Sequence, residues 1–112
     1  MDSAQSVALG VVELLYTEGC PHAAAYLPQL RRLLAGTGIA DPIQERLVTS
    51  DEQAQHERFL GSPTVRVGGV DVDPDADGRL DYGLTCRLYI TPDGPRGHPA
   101  DEEVLSALRR RR

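Results

Sequence analysis

A chain of 112 residues with 40% hydrophobic and 26% charged residues has the composition of one ordinary globular domain, residues 1–112. With no Trp and a single Phe, its core has to be built from Leu, Val and Ala. The formal net charge is −5, and with the four terminal arginines Arg109–Arg112 set apart the remaining body stands at −9; so acidic a body excludes nucleic acid as the main ligand, because phosphate recognition needs a basic face.

Two cysteines are too few for a disulfide scaffold. The N-terminus has no basic stretch followed by a long apolar core, and Glu13 interrupts the only candidate run. Neither a signal peptide nor a membrane span is expected, so the reading is cytoplasmic, with thiols that are reactive, metal-binding or simply buried. The arginine tail is read as the complement to the negative end of a final helix.

Residues 7–16, "VALGVVELLY", form a nearly continuous apolar run, as in a strand covered on both faces. "TEGCP" is a turn. From Pro21 the pattern is helical, with Ala23, Leu27, Leu30 and Leu34 at three- and four-residue spacing. Pro21 suits a first helical turn, Pro28 should kink the helix, and Gly36 and Gly38 end it. "IQERLVT", residues 43–49, predicts a second strand with a polar face. Ser50 and Gln53 have capping-box spacing for a short helix reaching about Phe59. Residues 64–67 and 70–72 predict a hairpin around Gly68-Gly69. "DPDADG" reads as a loop, "TCRLYI" (85–90) as an extra strand, and the chain closes with a helix from about Ala100 that buries Val104, Leu105 and Leu108.

The order is β-α-β-α-β-β-α, an α/β fold with an insertion over about residues 73–99 before the last helix. Within that insertion, Asp73, Asp75, Asp77 and Asp81 fall at positions 1, 3, 5 and 9 of a calcium-loop pattern with Gly78 at 6. Leu84 stands where the closing Glu belongs and no helices flank the loop, so the reading is a solvated acidic turn. His56 and His98 are read as surface residues. Tyr82 and Tyr89 are read as packing residues, with Tyr82 also able to line a site.

Cys20-Pro21-His22 at a strand-to-helix junction, Pro28 eight residues after the cysteine, and "GSPTVRV" together resemble the thioredoxin superfamily. "LLYTEGCPH", "RFLGSPTVRVGG" and "YGLTCRLY" more closely resemble a small bacterial thioredoxin-like group with GCPN or GCPH motifs, whose members are variously labelled thioredoxin-like, selenoprotein-like or alkylmercury lyase. The resemblance covers residues 10–90 well. It implies a thioredoxin-like fold in which Cys20 caps the first helix, where unpaired helix N–H groups favour the thiolate. It also implies that His22 favours the thiolate further and that Pro63 is cis. The Ser62 and Thr64 backbone would then be left free to pair with an extended substrate.

The position that would close a Cys-x-x-Cys motif is Ala23. Ordinary two-cysteine turnover at the helix end is therefore impossible, and Cys86 is either the resolving thiol or a strand residue unconnected with Cys20. The expectation is a redox-active cysteine, Cys20, as nucleophile of a thiol–disulfide oxidoreductase. It needs no organic cofactor and acts on a protein or small-molecule thiol or disulfide, with glutathione or thioredoxin as reductant. The alternative is a non-catalytic binding module for a peptide partner or a soft metal, Hg or Cu(I). Structural zinc lacks a fourth ligand. Carbon–mercury cleavage lacks the aspartate that organomercurial lyases carry close after the first cysteine, where this chain has Ala23 and Ala24.

Overall fold

The computed structural model of the chain describes residues 12–39 and 42–110. Strand β1, Val12–Tyr16, takes up the C-terminal half of the first apolar run; the expected start at residue 7 lies outside the described residues. Val12 and Leu14 are buried on one face and Leu15 on the other, the period of two that a strand requires. β1 is parallel to β2 (Gln44–Leu47) and antiparallel to β3 (Thr64–Val67), which pairs antiparallel with β4 (Val70–Asp71). The four-stranded mixed sheet has the order β2-β1-β3-β4.

Helix α1, Pro21–Gly36, crosses from β1 to β2 and runs on through Pro28. Its Ala23, Tyr26, Leu30 and Leu34 are buried, a stripe at helical spacing. Tyr26, Leu30 and Leu34 pack with Val12, Leu14, Val65, Val67 and Val72 of the sheet side. The same core takes Val104, Ala107 and Leu108 from the last helix, α3 (Asp101–Arg110). Asp101, Glu102 and Glu103 lie in the first turn of α3 and Arg109 and Arg110 in its last, each sign against the opposite end of the helix dipole. Arg111 and Arg112 lie outside the described residues.

On the other face, Leu15, Val48, Ala54 and Phe59 form a smaller core under α2, Asp51–Glu57. The Ser50 hydroxyl accepts the Gln53 amide at 3.0 Å, while the Gln53 side chain accepts from the Thr49 amide rather than closing the box on Ser50. α2 ends before Phe59 because Arg58 turns left-handed (φ 56°) and Phe59 N–H bonds back to Ala54 O. Where the small core stops, ion pairs continue the layer: Arg46 bonds Glu13 at 3.0 Å and Glu57 at 2.6 Å, and Arg66 lies 3.6 Å from Glu57.

The insertion is more structured than a loop. A 3-10 turn, Pro74–Gly78, follows β4, and a separate hairpin joins β5 (Tyr89–Thr91) to β6 (Gly94–Arg96). The expected strand over 85–90 is thus divided. Its first half makes one isolated parallel bridge, Cys86 opposite Ser62, and the chain then turns into its own hairpin. No helix among the described residues is long and apolar enough to cross a membrane.

Candidate functional site around Cys20

Thr17, Glu18 and Gly19 turn the chain from β1 into α1, and Cys20 is the extended N-cap residue ahead of Pro21. Cys20 is half-buried; its amide donates to Thr17 O at 3.3 Å and its carbonyl accepts from Ala24 at 3.3 Å. Ala23, three residues on, is 4% exposed, so the place of a second helix-end thiol is filled by a methyl group in the core. A cavity of about 500 Å³ opens beside Cys20, walled by Leu14, Tyr16, Ala24, Leu27 and Glu45. The small side chains of Ala23 and Ala24 leave this space between helix and sheet.

The second part of the site is the loop ahead of β3. The Ser62–Pro63 peptide is cis, and both residues are buried. The Ser62 hydroxyl accepts the Thr17 amide at 3.1 Å. Thr17 therefore ties this loop, through its N–H, and the Cys20 amide, through its C=O, into one unit.

The Ser62 backbone is not free, contrary to the expectation. Its N–H donates to Thr85 O at 2.8 Å and its C=O accepts from Arg87 N–H at 3.0 Å. The close approach depends on Gly61, at φ +126°: a Cβ there would lie 3.0 Å from Arg87 Cβ and 3.1 Å from Thr85 O. In this extended segment Cys86 faces solvent while its neighbour Arg87 turns inward. Both cysteines are free thiols, far apart in sequence, with no disulfide between them.

Arg87 is the residue that sequence reasoning missed. Its side chain is wholly buried, paired with Asp71 at 2.7 and 3.0 Å and Asp73 at 3.3 Å, and it donates to Thr64 Oγ1 at 3.0 Å. Its guanidinium lies 4.5 Å over the Tyr89 ring, and Tyr89 OH donates to Pro63 O at 2.7 Å. Burial opposes the charge on Arg87, but the Asp71 hydrogen bonds and the surrounding negative charge overcome it and hold the guanidinium protonated. Burial likewise pushes the Tyr89 hydroxyl far up, against a smaller opposing pull from Arg87, so it stays a neutral donor. The only sequence signal was a cation inside an apolar strand pattern, with nothing in the spacing to pair it with Asp71 and Asp73.

His22 is exposed on the first turn of α1 and meets the end of the insertion. A Cβ on Gly97 would lie 2.5 Å from His22 Nδ1, so the ring sits where only glycine leaves room. His98 is not the surface residue expected: it is half-buried and stacked on Tyr26, ring centroids 4.8 Å apart and planes 7° apart. Burial, then the charges of Asp101 and Glu103, push the Tyr26 hydroxyl up, and its oxygen has no hydrogen-bond partner among the described residues. Tyr82 lines a separate cavity with His56, Arg58 and Asp71, away from Cys20.

Asp73 caps the 3-10 turn through the Asp75 amide at 3.0 Å, and Asp81 takes a two-pronged bond from Arg79, so these acids serve protein partners. Among the described residues no group of three or more His, Cys, Asp or Glu side chains is arranged to hold a metal ion. In comparisons with known proteins, no family model, curated protein or solved structure matches the chain.

Proposed function

We propose that the chain is a thioredoxin-like thiol protein in which Cys20 is the nucleophile of thiol–disulfide exchange. The observation that carries this reading is the Thr17 node. It joins a cysteine at the start of a helix to the loop of a buried cis-proline, on a sheet of order β2-β1-β3-β4. Cys20 thiolate attacks one sulfur of a disulfide; the S–S bond breaks, the distal half leaves as a thiolate that is protonated by solvent, and Cys20 is held as a mixed disulfide. A second thiol then attacks the mixed disulfide: an external thiol takes up the bound half as a new disulfide and frees Cys20, whereas Cys86 attacking Cys20 Sγ releases that half as a thiolate and leaves a Cys20–Cys86 disulfide for dithiothreitol or a cellular thiol to reduce. With Ala23 in the helix-end position, that thiol is Cys86 or an external one such as glutathione or a thioredoxin. His22 stands at the same helix start, and Pro63 shapes the substrate groove.

The test is turnover of 5,5′-dithiobis(2-nitrobenzoate) and of hydroxyethyl disulfide with dithiothreitol as reductant. Cys20→Ser is expected to abolish turnover; wild-type rates in Cys20→Ser would end this reading. Cys86→Ser separates the two cycles, since slowing marks an internal resolving thiol and an unchanged rate an external one. The absence of a second helix-end thiol favours one other reading, a binding module for a peptide or soft metal. It predicts stoichiometric labelling of Cys20 with no turnover.

A further inference from the structure

An unpaired backbone edge beside a nucleophile recognises extended peptides by strand addition: main-chain hydrogen bonds give affinity and side-chain pockets give selectivity. The backbone groups of Ser62 could serve that purpose next to Cys20, yet both are bonded to the protein's own Thr85 and Arg87. We infer that residues 85–87 form a built-in strap that fills the peptide-pairing edge, so that the substrate of Cys20 is a low-molecular-weight disulfide entering from the adjoining cavity, not an extended protein segment. This inference rests on the Cys20 reading above.

Three observations support it independently. The strap is anchored and not merely adjacent: Arg87 carries it on Asp71, Asp73 and Thr64, and Tyr89 fixes its far end to Pro63 O. Gly61 gives it close backbone contact, which a side chain at that position would prevent. The same insertion also covers the helix side, with Gly97 against His22 and His98 on Tyr26. The remaining approach is the cavity of about 500 Å³, a volume suited to a small molecule. Among the described residues its walls are mainly apolar, and the one charged residue there is Glu45. An uncharged or cationic disulfide fits there, and a polyanionic one is disfavoured.

The experiment compares kcat/KM of the wild-type protein for three substrates with dithiothreitol as reductant: hydroxyethyl disulfide (neutral), cystamine (cationic) and reduced-state release of the insulin chains. The two small disulfides are expected to exceed insulin by about tenfold or more, because the strap occupies the Ser62 backbone groups and leaves an extended chain no edge to pair with beside Cys20. Insulin reduced as efficiently as hydroxyethyl disulfide, in a Cys20-dependent manner, overturns the inference and leaves the Cys20 reading intact. Arg87→Ala, checked for folding by circular dichroism, is expected to raise the insulin-to-hydroxyethyl disulfide ratio; a ratio that stays put in a folded variant counts against the strap. Amide hydrogen exchange at Ser62 and Arg87 tests the strap without catalysis. Slow exchange at both is expected, and exchange as fast as in an open loop overturns it even if no substrate turns over and the Cys20 reading has failed.

Discussion

Replacing Arg87 by methionine keeps much of the side chain's length and removes its charge, leaving Asp71 and Asp73 without their buried partner. Removing one member of a buried ion pair typically costs about 3–5 kcal/mol, because the remaining charge is left uncompensated. Here the guanidinium is fully enclosed, while the Asp71 and Asp73 side chains keep 14% and 15% exposure. Water can therefore reach the orphaned carboxylates, which places the expected loss near the lower end, about 3 kcal/mol. The Thr64 hydrogen bond and the stack on Tyr89 are lost as well. For a domain with about 5–15 kcal/mol of total stability, the variant folds but melts well below the wild type. Urea unfolding followed by far-ultraviolet circular dichroism measures the loss directly. Arg87→Met combined with Asp71→Asn is expected to be more stable than Arg87→Met alone, since it removes one orphaned charge. A loss under about 1 kcal/mol, or a double variant weaker than the single one, would refute the claim that charge pairing holds Arg87 in place.

Tyr89→Phe leaves the Pro63 carbonyl without its buried donor and is expected to cost about 1–2 kcal/mol in the same urea assay. Gly61→Ala meets Arg87 Cβ, Thr85 O and an unfavourable φ of +126° at once, so a destabilisation of about 1–3 kcal/mol is expected, with faster exchange at the Arg87 amide. Gly97→Ala pushes a methyl group into the His22 ring, and a large chemical-shift change of the His22 ring protons, with little change in the sheet, is the expected signature. Burial first, and then the charge of Asp73, push the Glu103 carboxyl up, and one of its oxygens is buried with no partner among the described residues. The folded state therefore holds this proton to higher pH than the unfolded chain, and the associated stability is present at low pH and lost as pH rises through the folded value. Glu103→Gln is accordingly expected to melt above the wild type near about pH 7 and to lose that advantage near about pH 4, with a gain under about 1 kcal/mol because the residue is only half-buried.

The elements that obey a local rule were legible in the sequence. α1 is announced by Pro21 and by apolar residues at helical spacing, α2 by Ser50 three residues ahead of Gln53, and α3 by acids at one end and arginines at the other. The β-α-β-α-β-β order ahead of the insertion follows from the alternation of the two periods. The segment 85–90 is strand in part only: it carries a strand-like pattern, but a pattern of apolar residues does not name a partner. Thr85 to Arg87 found a single bridge at Ser62, and Tyr89 onward found Gly94–Arg96. Tertiary context decided both, as it often does for short strands.

The site was legible in the same uneven way. Cys20, Pro21 and the Ser62-Pro63 dipeptide are neighbours of turns and strand ends, and their positions follow once the β1 and β3 registers are set. Arg87 and Gly97 have no such local rule, because each is explained only by a distant partner: Asp71 and Asp73 for one, His22 for the other. His98 shows the consequence. In a Pro- and Gly-rich stretch it had every mark of a surface residue, and it is half-buried because Gly97 lets the chain lie close enough to α1 for the ring to stack on Tyr26. The insertion is thus a covering for the start of α1 and the cis-proline loop, held from beneath by a buried cation. In a chain with so few aromatics, two of the four tyrosines, Tyr26 and Tyr89, serve as the surfaces on which that covering rests.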